Sequence, residues 1–194
     1  MNVIKSYRFI PKEEIESQAM DVLKGVQAKR KRRLKWPPID PNIVADFLDL
    51  NVVWFPIERD EQGSIAAMIL PLDRKIIINK NTNQMPKGFV ESTLAHEIGH
   101  WVLHIDYSSV DTFKDRQENG SEISIEPFLC RSASSQKSIE WQAQHFAGCL
   151  LMPRYILEEM RRGRDLTNWN HLYAMRDELG VTISNLTNRL QDRG

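Results

Sequence analysis

Thr93-Leu94-Ala95-His96-Glu97-Ile98-Gly99-His100-Trp101 is the stretch whose reading decides the fold. His96 and His100 are four residues apart, so on a helix they share one face, about 6 Å apart along the axis. Two imidazoles so placed can converge on one metal ion. Glu97 lies beside them, set to take a proton from a metal-bound water, which is the arrangement of the His-Glu-x-x-His zinc hydrolase motif. Val90, Leu94, Ile98, Trp101 and Ile105 recur at three- and four-residue spacing and define an amphipathic helix. At about 100° per residue the two histidines fall roughly opposite that stripe, which predicts one buried face and one face turned to a cleft.

A catalytic zinc normally takes three protein ligands, so one more is needed. His104 continues the four-residue series but lies about 12 Å along the axis from His96, and reads as a residue behind the site or on its rim. His145 sits about 140° around its helix from Glu140, so a regular helix cannot turn both into one site. His171 has nothing to recommend it beyond its residue type. Glu140 fits best: it shares a neighbouring face with Ala143 and Ala147, small residues that let their helix approach another closely.

The bulk of the chain excludes several classes of function. Lys plus Arg and Asp plus Glu are balanced at 26 each, so no global field favours nucleic acid or an anionic membrane. A 41% hydrophobic share over 194 residues is that of a globular domain able to bury a core. Met1–Arg8 holds no apolar leader segment, and no run approaches membrane-spanning length. Cys130 and Cys149 make no disulfide framework, so a cytoplasmic protein with reduced thiols is expected. Cys130 reads as a loop cysteine rather than a metal ligand.

Lys12 to about Gln27 reads as a helix with Ile15, Ala19, Val22, Leu23 and Val26 as its stripe. The basic run Lys29–Lys35 has no interleaved aromatic residue and reads as a solvated helix end rather than a nucleic-acid patch. After Trp36-Pro37-Pro38, Asp40 caps and Pro41 opens a short helix through Leu50. Strands are expected at Asn51–Ile57, where Pro56 marks an edge or an end, at Ile65–Leu70 after the turn Gln62-Gly63-Ser64, and at Lys75–Asn79. Met85-Pro86-Lys87-Gly88 leads into the His96 helix. Asp106–Ser138 shows no periodicity and reads as a mobile connection bordering the cleft, with Ile123, Ile125, Phe128 and Leu129 as its docking residues. Helices follow at Ile139–Met152, ended by Pro153, at Tyr155–Arg162, at Asp165–Leu179 closed by Gly180, and from the Thr182 cap to Gln191.

His96-Glu97-Ile98-Gly99-His100 together with Glu140-Trp141-Gln142-Ala143-Gln144-His145-Phe146-Ala147-Gly148-Cys149-Leu150-Leu151-Met152-Pro153 resembles the ImmA/IrrE family of zinc metallopeptidases. That family pairs His-Glu-x-Gly-His with Glu-x-x-Ala-x-x-Phe-Ala-x-x-Leu-Leu-Met-Pro, and the likeness covers most of residues 40–191. It implies an α+β fold, with a small three-stranded sheet packed on a mostly helical, zincin-like core. It implies Zn2+ held by His96, His100 and Glu140, with Glu97 as general base. The chain then reads as a single metallopeptidase domain over 1–194, with an N-terminal helical arm at 1–38 and a C-terminal helix pair at 165–194. The implied partner is a protein substrate, a helix-turn-helix repressor in a stress or mobile-element switch, with neither nucleic acid nor membrane expected. Tyr107, His104, Arg154, Tyr155 and His171 are the candidates for stabilising the oxyanion. Two features depart from the pattern: Gln142 stands where many relatives have an acidic residue, and the connection from His100 to Glu140 is long. The alternatives are a non-catalytic antirepressor with a structural metal, and a DNA-binding helix pair within Leu166–Leu190, where only Arg189 and Arg193 supply cations near the required face.

Overall fold

The computed structural model describes residues 3–29, 36–61, 65–80, 88–120, 125–131 and 137–192. The order is α1 (Lys12–Lys29), α2 (Pro41–Phe47), β1 (Asn51–Phe55), β2 (Ile65–Leu70), β3 (Lys75–Asn79), α3 (Phe89–His104), α4 (Tyr107–Glu118), β4 (Phe128–Arg131), α5 (Lys137–Leu151), α6 (Arg154–Arg161), α7 (Trp169–Leu179) and α8 (Ile183–Gln191). The expected α+β class holds. Of the expected readings, most of the basic run (30–35), the 62–64 turn, the 85–87 lead-in and Ile123 lie outside the described residues.

The sheet runs in the order β1-β3-β2-β4, with β1 parallel to β3 and the other pairs antiparallel. Alternation fixes which face is covered: Ile65, Ala67 and Ile69 of β2 and Ile76 and Ile78 of β3 are buried together. β1 stands at an edge and ends before Pro56, as the missing amide hydrogen of proline requires. Asn79 locks the sheet to the chain around it: its side chain accepts from Ile57 N at 3.3 Å and donates to Ile57 O at 3.0 Å and Ile65 O at 2.8 Å.

The three expected strands are joined by a fourth, and the 106–138 connection is not the element-free segment its sequence suggested. Asp106 caps α4 by accepting from Ser108 N. Of α4 only Val110 is buried, so the helix carries no apolar stripe to betray it. β4 then pairs with β2 through Met68↔Leu129 and Ile69↔Phe128, and Cys130 sits in that strand rather than in a loop. Helix bounds also shift, by a residue or two at α1, α5 and α6 and by more at α2 and α7. α2 stops at Phe47, followed by Asp49 at a positive φ of 58°. α7 starts at Trp169 because Asp165 spends its carboxylate on Thr167 N, leaving Asn168 as the cap.

The core gathers around α3 and α5. α1 buries Ile15, Ala19, Leu23 and Val26 and packs on α5. α3 is buried nearly all round, Leu94, Ile98 and Trp101 on the expected stripe and Ser92, Glu97, His100 and His104 elsewhere. Val90 alone of the stripe is only half-buried.

Candidate metal centre

The two helices that carry the motif residues approach unusually closely, and the sequence says why. A Cβ on Gly99 would stand 2.9 Å from Ala143 O and 3.1 Å from Ala143 Cα. Only a glycine on α3 facing an alanine on α5 allows that crossing. Glu140 lies one turn before Ala143, so the same approach carries its carboxylate to the histidines.

There His96 Nε2 lies 3.0 Å from Glu140 Oε2 and 3.0 Å from His100 Nε2, and His100 Nε2 lies 3.5 Å from Glu140 Oε2. A tetrahedral zinc with ligands at about 2.0–2.1 Å has its ligand atoms roughly 3.3–3.4 Å apart, so the trio fits such an ion. Among the described residues this is the group of His, Cys, Asp and Glu side chains that could hold a metal. Burial pushes the His100 imidazole down to about 4, against the pull of Glu140 and with help from His96. Burial alone would raise Glu140, but the adjoining imidazoles of His100 and His96 outweigh it and hold the carboxyl down to about 2. A neutral His100 and an ionised Glu140 are the protonation states that ligation requires. Burial works to lower His96 as well, yet the Glu140 hydrogen bond and the charges of Glu97 and Glu140 leave it raised.

His96 and Glu140 of the trio border a cleft of about 460 Å³ that is also lined by Glu97, Ser92, Gln144 and Asn185. Glu97, 1% exposed, therefore reaches the same space as His96 and Glu140. His100 does not face open solvent as the helix stripe suggested. It is fully buried, with the Phe128 ring of β4 at 4.7 Å covering its outer side.

None of the five oxyanion candidates lines this cleft. Tyr107 donates to Trp101 O, and burial pushes its phenol upward. His104 lies behind His100 at 3.1 Å. Arg154 is paired to Glu16, and Tyr155 borders a separate groove with Met20 and Trp36. His171 hydrogen-bonds at Asp165, and His145 is turned away to Asp192 at 3.3 Å. The polar groups that do line the cleft were not found in the sequence: Asn185 donates to Ser92 Oγ at 2.7 Å and accepts from Gln144 at 3.4 Å. Their one sequence signal is Gly88, at φ 84°, where a Cβ would meet the Val181 backbone at 2.4 Å. That close approach seats the α7–α8 turn on the start of α3.

The family described as the IrrE N-terminal-like domain, Peptidase M78, matches residues 57–191. The chain belongs to the M78 peptidase family. No curated protein matches it. The M78 stretch takes in three of the four strands, both motif helices and α8. Every residue lining the cleft thus lies inside the M78 region, whereas α1 and α2 precede it.

Proposed function

We propose that this M78 chain is a zinc-dependent endopeptidase in which His96, His100 and Glu140 hold the metal and Glu97 is the general base. The observation that carries the reading is the convergence of the three ligand atoms within 4.8 Å at the wall of a cleft that Glu97 also lines. Zinc held by His96, His100 and Glu140 would supply Lewis acidity and make a bound water more acidic. Glu97 takes the proton of the attacking water and passes it to the leaving amine. Asn185 and Gln144 are among the side-chain donors that line the cleft beside Glu140, where none of the five candidates stands.

Three protein ligands beside an open cleft favour catalysis over an antirepressor with a structural metal, because structural zinc sites are closed by four. β4 is an edge strand whose Phe128 covers His100, so an extended substrate segment can pair alongside it. A protein substrate follows from the peptidase family. We assign it to the helix-turn-helix repressor class in a stress or mobile-element switch, in the cytoplasm, as the family resemblance implies. Among the described residues no helix is long and apolar enough to cross a membrane. Arg189 speaks against DNA binding by the last helix: its side chain is 4% exposed and tied to Glu16 at 2.8 Å, so it offers phosphate nothing. We treat 1–194 as one domain, a reading supported by α1 and α8 both packing on α5.

Glu97→Gln tests the proposal. It should keep the zinc content of wild type while cleavage of a co-expressed repressor falls by at least about 10²–10⁴-fold. A Glu97→Gln protein that relieves repression as well as wild type would support the antirepressor instead.

A further inference from the structure

A chain of hydrogen bonds runs from the N-terminal backbone to the inner side of His100. Gln142 Nε2 donates to Arg8 O at 3.0 Å. Gln142 Oε1 lies 2.9 Å from His104 Nε2, and His104 Nδ1 lies 3.1 Å from His100 Nδ1. All three side chains are buried: His104 is 6% exposed, Gln142 1% and His100 0%.

The polarity of this chain is fixed from its far end. A peptide carbonyl only accepts, so the Gln142 amide must turn its NH2 to Arg8 and its oxygen to His104. That oxygen also only accepts, so His104 Nε2 carries a hydrogen. Neither hydrogen-bond partner of His104 is a carboxylate, and a buried imidazolium without one is strongly disfavoured. His104 Nδ1 is therefore an acceptor, and His100 Nδ1 must donate to it. In the neutral ring the remaining nitrogen, His100 Nε2, then holds the lone pair, and it faces His96 Nε2 and Glu140 Oε2.

We propose that Gln142 and His104 are positioning residues that carry the polarity of the Arg8 carbonyl inward, holding His100 as the Nδ1–H tautomer with its Nε2 lone pair presented to a divalent metal. What that lone pair binds rests on the ligand assignment above; the tautomer itself does not. An amide suits position 142 for this reason. Both ends of the side chain are used, one as donor and one as acceptor. A carboxylate of the same shape has two acceptor ends and would meet the Arg8 carbonyl oxygen to oxygen. Arg8 lies outside the 57–191 stretch matched by the family, so the anchor of this chain comes from a segment that precedes it. That segment is itself fastened to the end of α3: Lys5 N donates to His104 O at 2.8 Å, and Asp106 N to Val3 O at 2.8 Å.

The test uses the full chain, stripped of metal and labelled with 15N-histidine. Long-range proton–nitrogen correlation spectra should show His100 protonated on Nδ1 and bare on Nε2, with His104 protonated on Nε2. Gln142→Met, which offers His104 no comparable acceptor, should populate the other His100 tautomer. It should also lose roughly 10–100-fold in affinity for zinc alone in chelator competition, as removal of an outer hydrogen-bond partner does. A merely structural Gln142 would lower the unfolding temperature and leave the tautomer and the affinity of the folded variant untouched. The proposal is overturned if His100 carries its proton on Nε2 in the wild type, an observation that needs no variant to fold. It is equally overturned if folded Gln142→Met keeps both wild-type zinc affinity and the Nδ1–H tautomer. A wild type with the expected tautomer that takes up no zinc would sink the ligand assignment and support the relay.

Discussion

Gly99→Ala places one methyl group at the crossing of α3 and α5. The added Cβ would stand 2.9 Å from Ala143 O, 3.1 Å from Ala143 Cα and 3.3 Å from Phe146 Cβ. The first two are backbone atoms, roughly half an ångström inside ordinary van der Waals separation, and they cannot swing aside as a side-chain tip can. Relief therefore requires the helices to part, at about 2–3 kcal/mol, near the upper end for overpacking. Alanine returns about 1 kcal/mol in helix propensity, so the net loss is about 1–2 kcal/mol. Gly148→Ala on α5 is the control, because its Cβ would meet only Arg189 Cδ, at 3.8 Å. It keeps the propensity gain of about 0.5–1 kcal/mol without the collision. Urea denaturation of the metal-free proteins should thus separate the two variants by about 2–3 kcal/mol. In melting temperature each kcal/mol is about 2–4 °C for a chain of this length. Because Glu140 rides on α5, Gly99→Ala should also lose zinc affinity while Gly148→Ala does not. A Gly99→Ala protein stabilised like Gly148→Ala, with zinc affinity intact, would refute the close crossing.

Asn79→Ala removes the partner of three backbone groups at Ile57 and Ile65 and should cost about 2–4 kcal/mol by urea denaturation. A loss well under 1 kcal/mol would mean those groups find other partners. Glu16 reports on acid stability. Burial would raise its carboxyl, but the hydrogen bonds from Arg154 and Arg189 outweigh burial and hold it below its ordinary 4.5. Between the folded pKa and 4.5 the unfolded chain binds the extra proton, so this contribution is present above pH 4.5 and is lost as pH falls through the folded value. Glu16→Gln should be less stable than wild type near neutrality, with the gap closing well below pH 4.5. A gap independent of pH would show that the arginine pairing does not set it.

What local chemistry controls was legible in the residues. The His96 helix, the Glu140 helix ended by Pro153, the Asp40 and Thr182 caps and the Gly180 terminus each follow from a few neighbouring side chains. What depends on distant partners was not. β4 is four residues long and exists by pairing with β2, some sixty residues earlier, and α4 buries too little to leave a pattern. The convergence of His96, His100 and Glu140 could be anticipated because helical spacing limits which side chains meet. The cleft wall could not, since Asn185 reaches Ser92 only through the seating of the α7–α8 turn on Gly88. That the oxyanion candidates stand outside the cleft was hidden for the same reason. Tyr107 and Arg154 are chemically apt and adjacent to the motifs in sequence, yet their side chains are committed to Trp101 and Glu16. Gln142 looked like the loss of a charge, and its place between Arg8 and His104 makes it a two-ended bridge.

Zinc stoichiometry of the purified 194-residue chain, measured by elemental analysis beside Glu140→Ala, tests the central claim most directly. After dialysis against a chelator that leaves wild type with about one equivalent, the folded Glu140→Ala protein should be largely empty, because two imidazoles alone hold zinc too weakly. A folded Glu140→Ala protein that keeps the full equivalent under the same dialysis would contradict the claim that His96, His100 and Glu140 form the metal site.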